Sequence, residues 1–129
     1  MRRVRRAPLA AGAALTLHER LEPLSFLLGE WRGLGVVGYP SMTESRFEQE
    51  LSFTTDGRPF LTYSSRTWLL DDDGNRLRPS SAESGFWRPG ENERDVEVVL
   101  SNPTGIAEVY DGEVVFRKIE LRTIGIGRT

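Results

Sequence analysis

Between residues 46 and 53 apolar and polar positions alternate. Phe47, Gln49, Leu51 and Phe53 share one face, and Arg46, Glu48, Glu50 and Ser52 share the other. A period of two is that of a half-buried β-strand. Residues 31–37 form a segment of the same kind, and residues 60–70 are rich in the β-formers Phe, Thr, Tyr and Trp. Residues 82–87, 96–100, 106–110 and 114–124 complete a set of about seven strands. Between them stand turn signals: Asp56-Gly57, the run Asp71 to Asn75, Pro89-Gly90, Asn102-Pro103 and Asp111-Gly112. Short strands punctuated this regularly predict an all-β, antiparallel sandwich or barrel connected as a meander. The one predicted helix is short, residues 19–28, and ends at Gly29.

Composition narrows the function classes. The chain has 129 residues, 38% of them hydrophobic, and no apolar run long enough to span a bilayer. Without cysteine there is no disulfide framework, thiolate metal site or cysteine nucleophile. The net charge is −2, but Arg2, Arg3, Arg5 and Arg6 mask a more acidic body, thirteen basic residues against nineteen acidic ones. An acidic body argues against nucleic acid as a partner. The start has the basic-then-apolar outline of a signal peptide, yet its apolar part is Ala/Gly-rich and shows no cleavage site before Leu24. Residues 1–16 are therefore expected to be a flexible basic leader and residues 17–129 the barrel domain, with no membrane partner and a cytoplasmic location.

Several constellations dissolve on inspection. Asp71, Asp73 and Asn75 begin like a calcium loop, but Arg76 and Ala82 stand where glycine and glutamate are required, so a charged hairpin turn is expected. The only histidine, His18, precedes the first predicted strand and is expected at the surface. Glu83, Glu97 and Glu108 have no spacing that specifies acid–base work, and solvent-facing carboxylates are expected there. Gly29, Gly33 and Gly35 fall on one parity of a strand with Trp31 among them. That pattern is not the dinucleotide fingerprint; it clears one face of the strand, for a bend or for the close approach of another group.

The words of the sequence add a resemblance. The run from Pro23 to Gly35, with Gly29-x-Trp31-x-Gly33-x-Gly35, resembles the opening of the nitrobindin family. Gly38-Tyr39-Pro40, Gly57-Arg58-Pro59-Phe60-Leu61, Ser65-Arg66-Thr67-Trp68, Glu83-Ser84-Gly85-Phe86-Trp87-Arg88-Pro89 and the run from Asn102 to Gly112 follow in the family's order. The resemblance implies a ten-stranded antiparallel up-and-down β-barrel, akin to the fatty-acid-binding-protein shape, holding ferric heme b in a wide cleft. It implies nitric oxide binding and isomerisation of peroxynitrite to nitrate. Carried over residue by residue, it assigns cofactor contact to Gly29, Trp31, Gly33 and Gly35, and to Ser41, whose hydroxyl stands where the family usually has threonine.

The family's iron is held by a histidine near its C-terminus, in strands beyond the point where these residues stop, and no histidine follows His18. The expected protein is thus a C-terminally shortened nitrobindin-like barrel whose cavity takes heme or another hydrophobic ligand without family-type iron ligation. No catalytic or metal-ligating residue is assigned. Two alternatives remain: an active heme b isomerase, with Tyr39, Tyr63, Tyr110 or Met42 as chemically possible ligands, and a carrier of a small non-heme molecule. An open sheet edge would also expect cover, for example from a second copy of the chain.

Overall fold

The structure, a computed structural model, describes residues 3–7, 16–37 and 45–128. Eight strands form one antiparallel sheet in strictly sequential order: β1 (Arg3–Ala7), β2 (Gly29–Val37), β3 (Ser45–Thr54), β4 (Leu61–Leu70), β5 (Arg76–Pro89), β6 (Asp95–Ser101), β7 (Ile106–Val115) and β8 (Lys118–Arg128). This is the expected up-and-down meander, curled as a barrel-like sheet with β1 and β8 at its two edges and no closure between them. The one helix, Glu19–Leu27, is a 3-10 helix with Pro23 inside it. Gly29 at φ 121° turns the chain out of that helix into β2, a conformation that only glycine adopts without strain.

Three boundaries differ from the sequence reading, each for a physical reason. Five residues of the expected leader are strand β1, paired with β2 from Arg3 opposite Leu34 to Ala7 opposite Glu30. They satisfy backbone groups that the edge of β2 would otherwise leave open. Strand β5 starts six residues before the expected position, at Arg76, because β4 templates it through two bulges that leave Leu77 and Ser80 without partners on β4. Asp111-Gly112 is strand interior rather than a turn. A Cβ on Gly112 would collide with the Glu120 carbonyl oxygen, so this glycine serves the close approach of β8. The reversal comes later, at Phe116, whose φ is 57°. Val115 and Ile119 therefore belong to different strands, not to the single strand 114–124 expected from the sequence.

Burial concentrates at one end of the sheet. Leu21 and Leu24 of the 3-10 helix plug that end against Phe53, Leu61, Tyr63, Val96, Val98 and Val114. The rings of Phe53, Tyr63 and Trp87 stack within it, with Phe53 5.0 Å from Tyr63 and 5.4 Å from Trp87 between centroids. Trp31 ties helix to sheet by donating from Nε1 to the Leu27 carbonyl at 2.8 Å.

Candidate ligand cavity

Moving along the inner face away from the helix, side chains change from apolar to polar within two residues. Leu61 faces Trp87 and Tyr63 faces Gly85 at the packed end; Ser65 then faces Glu83, and Thr67 faces Ser81. A cavity of about 810 Å³ opens here, and Gln49, Ser65, Thr67 and Glu83 line it with Trp68 and Asn102. The opening has a topological cause. Strand β6 pairs with β5 only from Ser84 onward, so residues 76–83 of β5 have β4 on one side and no strand on the other. The β6–β7 turn stands beside that gap. In it Asn102 Oδ1 accepts from the Thr104 amide at 3.0 Å, and Gly105 adopts φ 89°.

Two hydrogen bonds organise the polar wall. Gln49 Nε2 donates to Ser65 Oγ at 2.9 Å, and the Tyr63 hydroxyl donates to Glu83 Oε1 at 2.7 Å. Ser65 is only 4% exposed, the one buried polar residue among those described. Gln49 Oε1 is buried without a partner, as is the Trp87 indole nitrogen deeper in the barrel. Leaving such atoms unpaired costs roughly 1–3 kcal/mol each. Hydrogen bonds from Arg58 hold the Asp56 carboxyl below its ordinary range, and Glu48 and Glu50 raise the Arg76 guanidinium. Arg76 also lies 3.8 Å over the Trp68 ring, bracing the outer face behind the cavity.

Four of the residues assigned from sequence lie on β2, paired with β3. Gly33 lies opposite Gln49 on β3, and Gly35 lies opposite Phe47, whose ring occupies the space a Cβ on Gly35 would take. Trp31 lies opposite Leu51, and Gly29 lies opposite Phe53. None of these four is among the residues lining the cavity. Ser41 lies outside the described residues, as do Tyr39 and Met42. Tyr63 is 6% exposed and committed to Glu83; Tyr110, opposite Val98, packs on the core. His18 caps the 3-10 helix, its Nδ1 accepting from the Arg20 amide at 3.1 Å.

Glu83, read from sequence as solvent-facing, instead faces the cavity, whereas Glu97 pairs with Arg88 at 2.7 Å. Gln49 was missed as well. The available signal was its position, a lone amide on the otherwise apolar face of β3.

A heme group needs an axial donor for its iron, ordinarily imidazole, thiolate, thioether or phenolate. The described cavity lining offers amides, hydroxyls, one carboxylate, an indole and a guanidinium, and none of those donors. Among the described residues there is also no cluster of three His, Cys, Asp or Glu side chains that could hold a metal ion. The cavity residues do not fit ligated iron.

Comparison with known proteins bears on the same region. A family model described as a THAP4-like, heme-binding beta-barrel domain matches residues 20–129. A ferric nitrobindin-like protein of Streptomyces coelicolor is 49% identical over 115 residues, covering 88% of this chain and 60% of that protein. A peroxynitrite isomerase of Streptomyces griseus is 45% identical over 116 residues, covering 89% and 62%. The crystal structure of Rv2717c from M. tuberculosis is similar at a TM-score of 0.72 and 34% identity, over 88% of this chain and 72% of that one. The chain thus spans about 60% of the length of these two curated relatives.

Proposed function

Since the chain belongs to the THAP4-like, heme-binding beta-barrel domain family, we propose that its cavity receives a flat, largely apolar ligand of the heme class, and that these 129 residues hold it without an imidazole on the iron. The carrying observation is the donor set: the cavity lining contains no usual iron ligand, and the only imidazole is spent on capping a helix. In this reading Gly33 and Gly35 shape the flank of the cavity by admitting Gln49 and Phe47, and Ser41 supplies a hydroxyl contact. A group held through its faces and edges alone keeps neither the affinity nor the reactivity that an axial ligand confers. Nitrate formation from peroxynitrite by these residues is accordingly expected at the rate of free hemin. The cytoplasm is the proposed location; no described helix is long and apolar enough to cross a membrane.

The relative named peroxynitrite isomerase favours a second reading, an active heme isomerase. Paired titrations separate the two. Quenching of tryptophan fluorescence measures hemin and metal-free protoporphyrin IX side by side. Unligated binding predicts affinities within about threefold of each other. Hemin binding a hundredfold more tightly, with catalytic nitrate production, would establish an iron ligand and the active reading.

A further inference from the structure

Across β5 to β8 the outer face of the sheet carries three successive rows that differ in kind. The middle row is apolar: Phe86 lies opposite Val99, Val99 opposite Val109, and Val109 opposite Gly125. Their neighbours along the strands, Trp87, Val98 and Tyr110, pack in the core, so this row points to solvent. Phe86 is 49% and Val99 38% exposed, and Phe60 extends the patch by meeting Phe86 edge-on at 5.4 Å between centroids. Toward the sealed end runs a charged row, Arg88, Glu97, Asp111 and Arg122. Its charges are paired within the chain, Arg88 with Glu97 and Arg122 with Asp111, each at 2.7 Å. Toward the open end runs a row of small residues, Ser84, Ser101, Ala107 and Gly127. A contiguous apolar patch rimmed by polar residues marks a contact surface.

We propose that this face joins two copies of the chain about a two-fold axis running along the apolar row. Such an axis sets each apolar residue against its own counterpart and lays the charged row of one copy over the small row of the other, twice. Arg88 and Glu97 then meet the Ser84 and Ser101 hydroxyls of the second copy. Asp111 and Arg122 lie over its Ala107 and Gly127, where no bulk opposes them. A contact between identical faces requires this self-complementarity; an unrelated partner has no need of a long row and a short row flanking the apolar one in register. A two-fold along the strands would instead set Arg88 against Arg122, cation on cation. Because each charge keeps its partner within its own chain, covering the row leaves no ion unpaired. Area sets the strength. Four strands about 4.8 Å apart and three rows about 6.8 Å apart offer at most about 400 Å² per copy, half of the roughly 800 Å² typical of a stable complex. The dimer is therefore weak and reversible, and it centres on Val99 and Val109 because the sheet curls away on either side. It is independent of what the cavity holds.

Sedimentation velocity of the full chain tests the association. Between about 10 µM and about 1 mM, the range expected for so small a contact, the mass should rise from monomer toward dimer. Val99→Lys sets two cations against each other at the axis and should weaken the dimer at least about tenfold. Cross-linking then tests the geometry, since the chain has no cysteine and single-cysteine variants are unambiguous. Facing sheets stand about 10 Å apart, beyond the reach of a direct disulfide, so the linker is a short bismaleimide. Val99→Cys should cross-link with itself. Glu97→Cys and Ser101→Cys should cross-link with each other when mixed, and neither with itself. A chain that stays monomeric at the highest concentration, its patch left to a different partner, overturns the proposal. So does a dimer that Val99→Lys leaves unchanged, or one in which Glu97→Cys links to itself. If Val99→Lys fails to fold, the wild-type mass and the cross-linking pattern decide on their own.

Discussion

The two ends of the barrel interior use the same strands and the same alternation, yet one is a core and the other a cavity. At the helix-capped end the inward positions are Phe53, Leu61, Tyr63 and Trp87, and the 3-10 helix seals them with Leu21 and Leu24. Two to four residues further along the strands the inward positions are Leu51 and Gln49, Ser65, and Glu83, and among the described residues no helix covers them. Apolar side chains facing each other close up and expel water; short or polar ones opposite each other leave space and unpaired hydrogen-bonding groups. Fold and site are therefore separable along the strand axis. Stability is set mainly at the sealed end, and the proposed ligand binding belongs to the open one.

The largest expected effect is at the sealed end. Leu21 is fully buried, and Leu21→Ala should cost about 2–5 kcal/mol in urea unfolding by the combined loss of burial and opening of a cavity. Gly112→Ala comes next. Its methyl would press on the Glu120 carbonyl across β7 and β8, and a cost of about 1–3 kcal/mol is expected. Were Gly112 part of a hairpin turn, the pairs Asp111–Arg122 and Glu113–Glu120 would not exist and amides there would exchange without protection, which amide exchange reads directly.

At the open end two terms oppose. Gln49→Leu removes a buried unpaired oxygen but also the donor to buried Ser65 Oγ, so stability should change by less than about 1 kcal/mol. A loss above 2 kcal/mol would mean that the polar wall is structural and would break the comparison. The smallest effect is at the exposed β3–β4 hairpin. Hydrogen bonds from Arg58 lower the Asp56 carboxyl pKa in the native state below its unfolded value. The pair's contribution is therefore present above the unfolded pKa and fades as pH falls through the native one. An NMR titration should find the Asp56 carboxyl titrating below the ordinary range, and Arg58→Ala should bring it back up.

Much of this arrangement was legible before any coordinates. Seven strands from Gly29 onward, their order and the one short helix follow from alternation and turn residues, because those signals are local. The Asp71 turn behaves as read, its carboxylate accepting from the Asp73 and Asn75 amides at 3.0 and 2.9 Å. What escaped was set by partners distant in sequence. Gly112 looked like a turn residue because its need for a bare side comes from Glu120, on the next strand. The early start of β5 through Pro79 and its neighbours was hidden because β4 imposes it. Glu83 passed for a solvent-facing carboxylate because only Tyr63, twenty residues earlier, reveals which way it points. The glycines of β2 were legible as a cleared face, but not what fills it, since Phe47, whose ring takes the space beside Gly35, sits on β3.

One titration tests the account of the open end most directly: hemin added to the full chain and to His18→Ala, followed in the Soret region. If the cavity holds the macrocycle without imidazole, both proteins should give the same broad band, close to that of free hemin. A sharp five-coordinate ferric spectrum in either protein, or one lost on replacing His18, would contradict that account and place an iron ligand within these residues.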